Sequence, residues 1–241
     1  MKKLNNYVSN EKILSLDNYI TEKLKIGKTY KPQYTYTCQP KTRYELWEIL
    51  KERLDKDKDA DLNDIDISEI RSMYEIFYDL DPHDIDISQW DVSNVIDMSC
   101  MFQKCENFNC DLSNWDVSRV EDMCGMFFDC KKFDSELSNW NVHKVQNMAS
   151  MFKHCENFNG DLSEWNVSKV TNMTSMFEGC YEFNCDLSDW EVTRVTNMSW
   201  MFKRCINFEG KGLDKWKVDD TKMINMFQDC PSLKNKPSWY K

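Results

Sequence analysis

Apolar and polar positions repeat along the chain with a fixed period of about 25 residues. Trp90, Trp115, Trp140, Trp165 and Trp190 mark it, and Trp216 follows one residue late. The pairs Met101-Phe102, Met126-Phe127, Met151-Phe152, Met176-Phe177, Met201-Phe202 and Met226-Phe227 keep it without a slip. A cysteine stands three residues after each of these phenylalanines, from Cys105 to Cys230. A second aromatic follows in Phe108, Phe133, Phe158, Phe183 and Phe208, with Leu233 closing the column. A period of this length predicts a solenoid of stacked units, none of which buries its apolar face alone.

Within one unit Phe108, Leu112, Trp115, Val117, Val120, Met123, Met126, Phe127 and Cys130 are the predicted inward positions. The Asp-Leu-Ser-x-Trp-x-Val stretch alternates with strand period, and Met-x-x-Met-Phe-x-x-Cys has the spacing of one or two helical turns. Asp122, Asn147, Asn172 and Asn197 precede that short helix at the position of an N-cap. Asn109, Asn159 and Asn184, with Asp134 and Glu209, form a polar column suited to tying turns between neighbouring units. The predicted class is α/β, with strands stacked in a parallel sheet and short helical turns.

The same columns set the boundaries. Ile65, Ile67, Ile70, Met73 and Phe77 form a degenerate first unit that lacks the Trp and carries Leu80 in place of Cys, giving seven units. Residues 1–60 are predicted to be a helical segment and cap, 61–230 the solenoid and 231–241 a C-terminal cap. In the first segment Ile13, Leu14, Leu16, Tyr19, Ile20 and Leu24 mark an apolar helix face ended by Gly27, and Tyr34 to Thr37 reads as extended. Thr42-Arg43-Tyr44-Glu45 is a capping-box pattern opening a second helix, with Tyr44, Leu46, Trp47, Leu50 and Leu54 at helical spacing. That helix is expected to cover the open end of the first unit. Gly210-Lys211-Gly212 is expected to take up the extra residue before Trp216, and Asp219-Asp220 the compensating loss.

The Asp-Leu-Ser-x-Trp-x-Val-Ser-x-Val-x-x-Met-x-x-Met-Phe-x-x-Cys motif, over roughly residues 40–230, resembles the BspA-like leucine-rich repeats of bacterial surface proteins, in the variant found in mycoplasma lipoproteins. The lead-in from Thr42 to Asp66 resembles the segment that precedes the first repeat in that family. The resemblance implies a right-handed leucine-rich-repeat-type solenoid with a parallel sheet, used to bind other macromolecules, with no enzymatic activity.

Charge and chemistry narrow the reading. The net charge is -10, yet residues 1–60 carry 13 basic against 9 acidic groups and residues 61–241 carry 18 against 32. An acidic solenoid disfavours nucleic acid and anionic membrane and favours basic partners, although abundant Asp also simply keeps a repetitive chain soluble. The start, Met1-Lys2-Lys3-Leu4-Asn5-Asn6-Tyr7, has no apolar leader run, so a cytoplasmic protein is expected. The 11 cysteines read as small buried apolar groups kept reduced. Cys100, Cys105 and Cys110, Cys180 and Cys185, and His154 beside Cys155 lack the paired short spacing of a zinc site. Asp55 to Asp66 imitates a calcium loop without its Gly and its terminal Glu. His83, His143 and His154 fall in three different columns and no nucleophile motif is present. Neither catalysis, cofactor nor metal is expected.

Binding is expected where a column breaks. Tyr78 and Phe128 interrupt the column shared with Gln103, Lys153, Glu178, Lys203 and Gln228. Trp200 replaces the small residues Cys100, Gly125, Ser150 and Ser175. Tyr181 and Ile206 occupy a column of charged residues, and Tyr74 lies beside Tyr78 in the first unit. These six are the candidate partner anchors. A basic stripe, Arg119, Lys144, Lys169 and Arg194, is expected to compensate Asp116, Asn141, Asn166 and Glu191 between units. The function expected is a non-catalytic protein-interaction module inside the cell. One alternative is a phage- or mobile-element-encoded inhibitor that blocks a basic nucleic-acid-handling enzyme, and another is a cell-surface adhesin.

Overall fold

A computed structural model describes residues 35–78 and 80–241 of the chain. Thr35–Lys241 forms one compact unit, the repeat body. The helix expected over Ile13 to Leu24, and Tyr34 itself, lie outside the described residues.

The repeat body is a solenoid whose coils follow the 25-residue period, but its backbone is neither strand nor helix for most of each coil. Met98, Cys100, Phe102 and Lys104 donate their N–H groups to Asp122, Cys124, Met126 and Phe128 of the next coil at 2.7–2.9 Å. The amides between them turn back within the coil: Met101 to Met98, Gln103 to Cys100 and Cys105 to Phe102, at 3.0–3.2 Å. The expected helical turns are absent because every fourth residue here is left-handed. Cys100 and Lys104 have φ of 55° and 65°, and the same two positions recur at Ser150 and His154 and at Trp200 and Arg204. A left-handed residue interrupts the helix ladder, and Cys100 and Lys104 pair with the neighbouring coil together with Met98 and Phe102.

The expected strands are also reduced. Burial does not alternate residue by residue but recurs at Leu112, Trp115, Val117 and Val120, because Trp115 bonds back to Leu112 and Val120 to Val117 in tight turns. Parallel pairing survives as one-residue bridges, Ser72 to Asp97, Asp97 to Asp122, Asp122 to Asn147, Asn147 to Asn172, Asn172 to Asn197 and Asn197 to Lys222. Asp122 and the asparagines below it are therefore bridge residues, and no helix follows for them to cap. Their side chains accept the amide two residues on, as Asp122 does from Cys124 at 2.8 Å and Asn197 from Ser199 at 3.0 Å. Asp86, Asp111, Asp161 and Asp186 close the preceding turn in the same way, each from a serine N–H at 2.9–3.0 Å. Much of the chain's Asp is thus turn chemistry. The asparagine column ties coils as expected, Asn109 accepting from Asp134 N–H at 2.9 Å and Asn159 from Asn184 N–H at 2.9 Å.

Aromatic side chains stack through the core. Phe102, Phe127, Phe152, Phe177, Phe202 and Phe227 form one ladder with centroids 5.6–5.8 Å apart, and each of the first five touches the second aromatic of its own coil at 4.0–4.2 Å. The tryptophans form another ladder, with Trp115 and Trp140 at 6.5 Å and 3° between planes. Each indole N–H reaches back to a carbonyl of the preceding coil, Trp140 to Leu112 at 2.9 Å and Trp165 to Leu137 at 3.1 Å. Trp239, within the expected C-terminal cap, continues this ladder: it stacks on Trp216 at 6.0 Å and donates to Leu213.

The cysteine column follows the same rule. Cys130, Cys155, Cys180, Cys205 and Cys230 direct their thiols at carbonyls of Phe102, Phe127, Phe152, Phe177 and Phe202 at 2.8–3.0 Å. Burial pushes these thiols up, Cys230 to about 11 and the deeper ones further. A thiol raised this far holds almost no thiolate at pH 8, and thiolate is the reactive form. Iodoacetamide on the native protein at pH 8 is therefore expected to spare the seven buried cysteines and to reach only Cys38, Cys100, Cys124 and Cys230, slowly at Cys100 and Cys230. Peptide mass mapping checks this, and denaturation should make all 11 react.

At one end α1 (Arg43–Leu54) covers the first coil. Thr42 caps it, accepting from Glu45 N–H at 3.2 Å, and Leu46, Leu50 and Leu54 join the core that continues into Leu62 and Ile65. Tyr44 is not on the buried face as expected; it is 64% exposed and stacks on Trp47. Ahead of α1, Cys38 pairs with Ile65 as a further parallel bridge, and Arg53 binds Asp64, holding its carboxyl below the usual range. Near the other end Gly212, at φ 81°, starts the 3-10 turn Leu213–Lys215, which brings Leu213 and Trp216 back over the core.

Candidate functional site

The structure places the six candidate residues on outward columns, where they form groups of different character. Tyr74 and Tyr78 sit on the first coil and are both held by cations. Arg43 lies 5.7 Å from the Tyr74 ring and donates to the Tyr74 carbonyl at 2.8 Å, and Tyr74 donates its hydroxyl to Glu75. Lys104 lies over Tyr78 at 5.3 Å, with its ammonium 3.1 Å from the hydroxyl. These contacts join α1 to the first coil and the first coil to the second, which accounts for both tyrosines without a partner.

Phe128 is half-buried two coils further on. Lys153 covers it at 5.6 Å and the His154 ring lies 5.8 Å away. The column continues as an ion ladder in which Glu178 bridges Lys153 at 3.0 Å and Lys203 at 3.3 Å. Burial alone would raise the Glu178 carboxyl, but the hydrogen bonds from Lys153, Ser175 and Lys203 outweigh it and hold it low. His154 is tied to Asp129 at 2.7 Å and lies against Gly179, where a Cβ would stand 2.6 Å from the ring.

Tyr181, Trp200 and Ile206 lie on consecutive coils, Tyr181 and Ile206 one above the other in one column. Trp200 is half-buried and has φ of 60°, a conformation that a bulky residue rarely takes. Its column otherwise holds small residues, with Ser175 buried in the coil before. Trp200 N–H donates to Ile224, which is 46% exposed, and Ile206 is 41% exposed. Ile224 is a further outward apolar residue that the sequence reading passed over, although it breaks a column of small residues, Ser99, Cys124, Ala149, Thr174 and Ser199, as Trp200 does.

The basic stripe is not compensated as expected. Arg119 reaches Asn94 at 3.0 Å, and no ion pair among the described residues joins Lys144, Lys169 or Arg194 to a carboxylate. Asp55 to Asp66 serves local turns: Asp57 accepts from Asp59 N–H and Asp61 from Asn63 N–H, both at 3.0 Å. No group of three potential metal ligands gathers among the described residues, and none of their helices is long and apolar enough to cross a membrane.

A family model described as "Mycoplasma protein of unknown function, DUF285" matches residues 48–155 and again residues 130–240. Neither the curated proteins nor the solved structures give a match.

Proposed function

We propose that this chain, which belongs to the DUF285 family of Mycoplasma proteins, is a non-catalytic protein-interaction module. Its coils are of the BspA-like leucine-rich-repeat type, right-handed and stacked through a parallel ladder. The motif from Asp111 to Cys130, read against the one-residue parallel bridges, supports that assignment. The module works inside the cell. The column thiols that donate to carbonyls support this, since they serve the fold only while reduced.

The observation that carries the reading is Trp200. A left-handed position favours Gly or Asn, and the solenoid uses Gly125 and Asn225 there. Trp200 costs backbone strain, is not enclosed by the core and belongs to no ring ladder. Trp200, its backbone partner Ile224, Tyr181 and Ile206 are outward-facing apolar residues on three consecutive coils, of the type that anchors protein partners.

Trp200→Asn should leave the thermal midpoint unchanged or slightly raised, because Asn is at ease at positive φ, while losing most of the partner binding. Parallel pull-downs from the source cell with native and variant chains, quantified by mass spectrometry, check this. A fall of more than a few degrees in midpoint, or equal recovery of the same partner, would overturn the reading.

A further inference from the structure

The Met-Phe segment of each coil sends its N–H groups one way. From the second coil onward, four alternate amides per coil donate to carbonyls of the coil that follows, ending with Met198 to Lys222, Trp200 to Ile224, Phe202 to Met226 and Arg204 to Gln228. In the seventh coil the same four amides, those of Met223, Asn225, Phe227 and Asp229, find no acceptor among the described residues. Asn225 and Asp229 keep the left-handed φ of 51° and 59°, so the row has the geometry of the paired rows behind it. Trp239 and Tyr240 cover Trp216 and Phe227 but leave Ile224, Asn225, Gln228 and Asp229 exposed.

We infer that this edge binds an acidic peptide segment of a partner protein, which adopts the turns of a repeat coil and supplies four backbone carbonyls at alternate residues as a further coil would. Direction fixes the chemistry: the row only donates, so the occupant must accept, as the Asn197-to-Lys203 stretch does one coil earlier. Charge fixes the character. Residues 211–241 carry seven lysines against four aspartates, on a chain whose net charge is -10. The inference rests on the chain being a protein-binding module, but not on Trp200 being its anchor.

An acetylated and amidated peptide of residues 171–179 is the probe, because its carbonyls at Asn172, Thr174, Met176 and Glu178 already accept such a row inside the solenoid. With the 241-residue chain, amide exchange followed by NMR should slow at least tenfold at Met223, Asn225, Phe227 and Asp229 under millimolar peptide, with the inner rows unchanged. A peptide carrying Glu178→Lys should bind at least threefold more weakly. The Trp200→Asn chain should respond like the native one, so a failure of the side-face reading leaves this result standing. Unchanged exchange at the four amides would overturn the inference. So would full protection in the free chain, where sedimentation would tell a second copy from the chain's own residues 1–34.

Discussion

Trp140→Ala is expected to lower the free energy of unfolding by about 3–5 kcal/mol, the range for removing a large aromatic from a packed core. Trp140 is 3% exposed and stacks on Trp115 and Trp165 at 6.5 and 6.4 Å. It also touches Phe127 at 6.3 Å. Its indole N–H satisfies the buried Leu112 carbonyl, which the variant leaves without that donor. The loss falls at the centre of a one-dimensional stack, where each coil is stabilised only by its neighbours. Denaturant unfolding should therefore lose its single transition, as coils on the two sides uncouple. Trp239→Ala removes the end of the same ladder, where one stacking face is already open, and should cost about 1–2 kcal/mol with the transition still single. Equal effects at the two sites would contradict a stacked core.

The columns that carry this energy were legible because the solenoid repeats them with few departures, confined to the first unit and the last two. Trp, Met, Phe and Cys fall at fixed offsets, and burial by stacking is the only arrangement that serves every copy at once. The backbone was not legible, because the residues that set it obey no common chemistry. Cys100, Gly125, Ser150, Ser175, Trp200 and Asn225 share a left-handed φ and little else. Their conformation follows from pairing between coils, a tertiary cause that local propensity does not encode. The helical spacing of Met-x-x-Met-Phe-x-x-Cys is met equally by successive tight turns, since both place residues three apart on one side. The candidate site divided on similar grounds. Tyr78 and Phe128 broke their column visibly, but the cations that occupy them, Lys104 and Lys153, lie in neighbouring coils and became apparent only in three dimensions. Trp239 was hidden because it follows Trp216 by fewer residues than the period, in a stretch with two prolines.

Gly212→Val should be nearly as damaging as the loss of a central tryptophan, by roughly 2–5 kcal/mol when left-handed strain and overpacking are combined. The chain inserts its extra residue here, and closing the loop brings Gly212 against the previous coil. A Cβ would stand 2.3 Å from the Ser188 nitrogen and 2.5 Å from its Cα, with φ at 81°. Those atoms are backbone, and Ser188 is fixed by its own N–H bond to Asp186 at 2.9 Å, so neither side gives way. Relief requires lifting Leu213 and Trp216 off Leu187 and Trp190, which undoes the Trp216 indole bond to Leu187 at 2.8 Å. Gly179→Ala makes the control. Its φ is 77° and its Cβ would also meet a neighbour at 2.6 Å, but that neighbour is the His154 ring, which can swing aside at the cost of its contact to Asp129. About 1–2 kcal/mol is expected there. Thermal melts of the two variants should therefore separate widely, and comparable midpoints would show that the inserted residue is absorbed elsewhere than at Gly212.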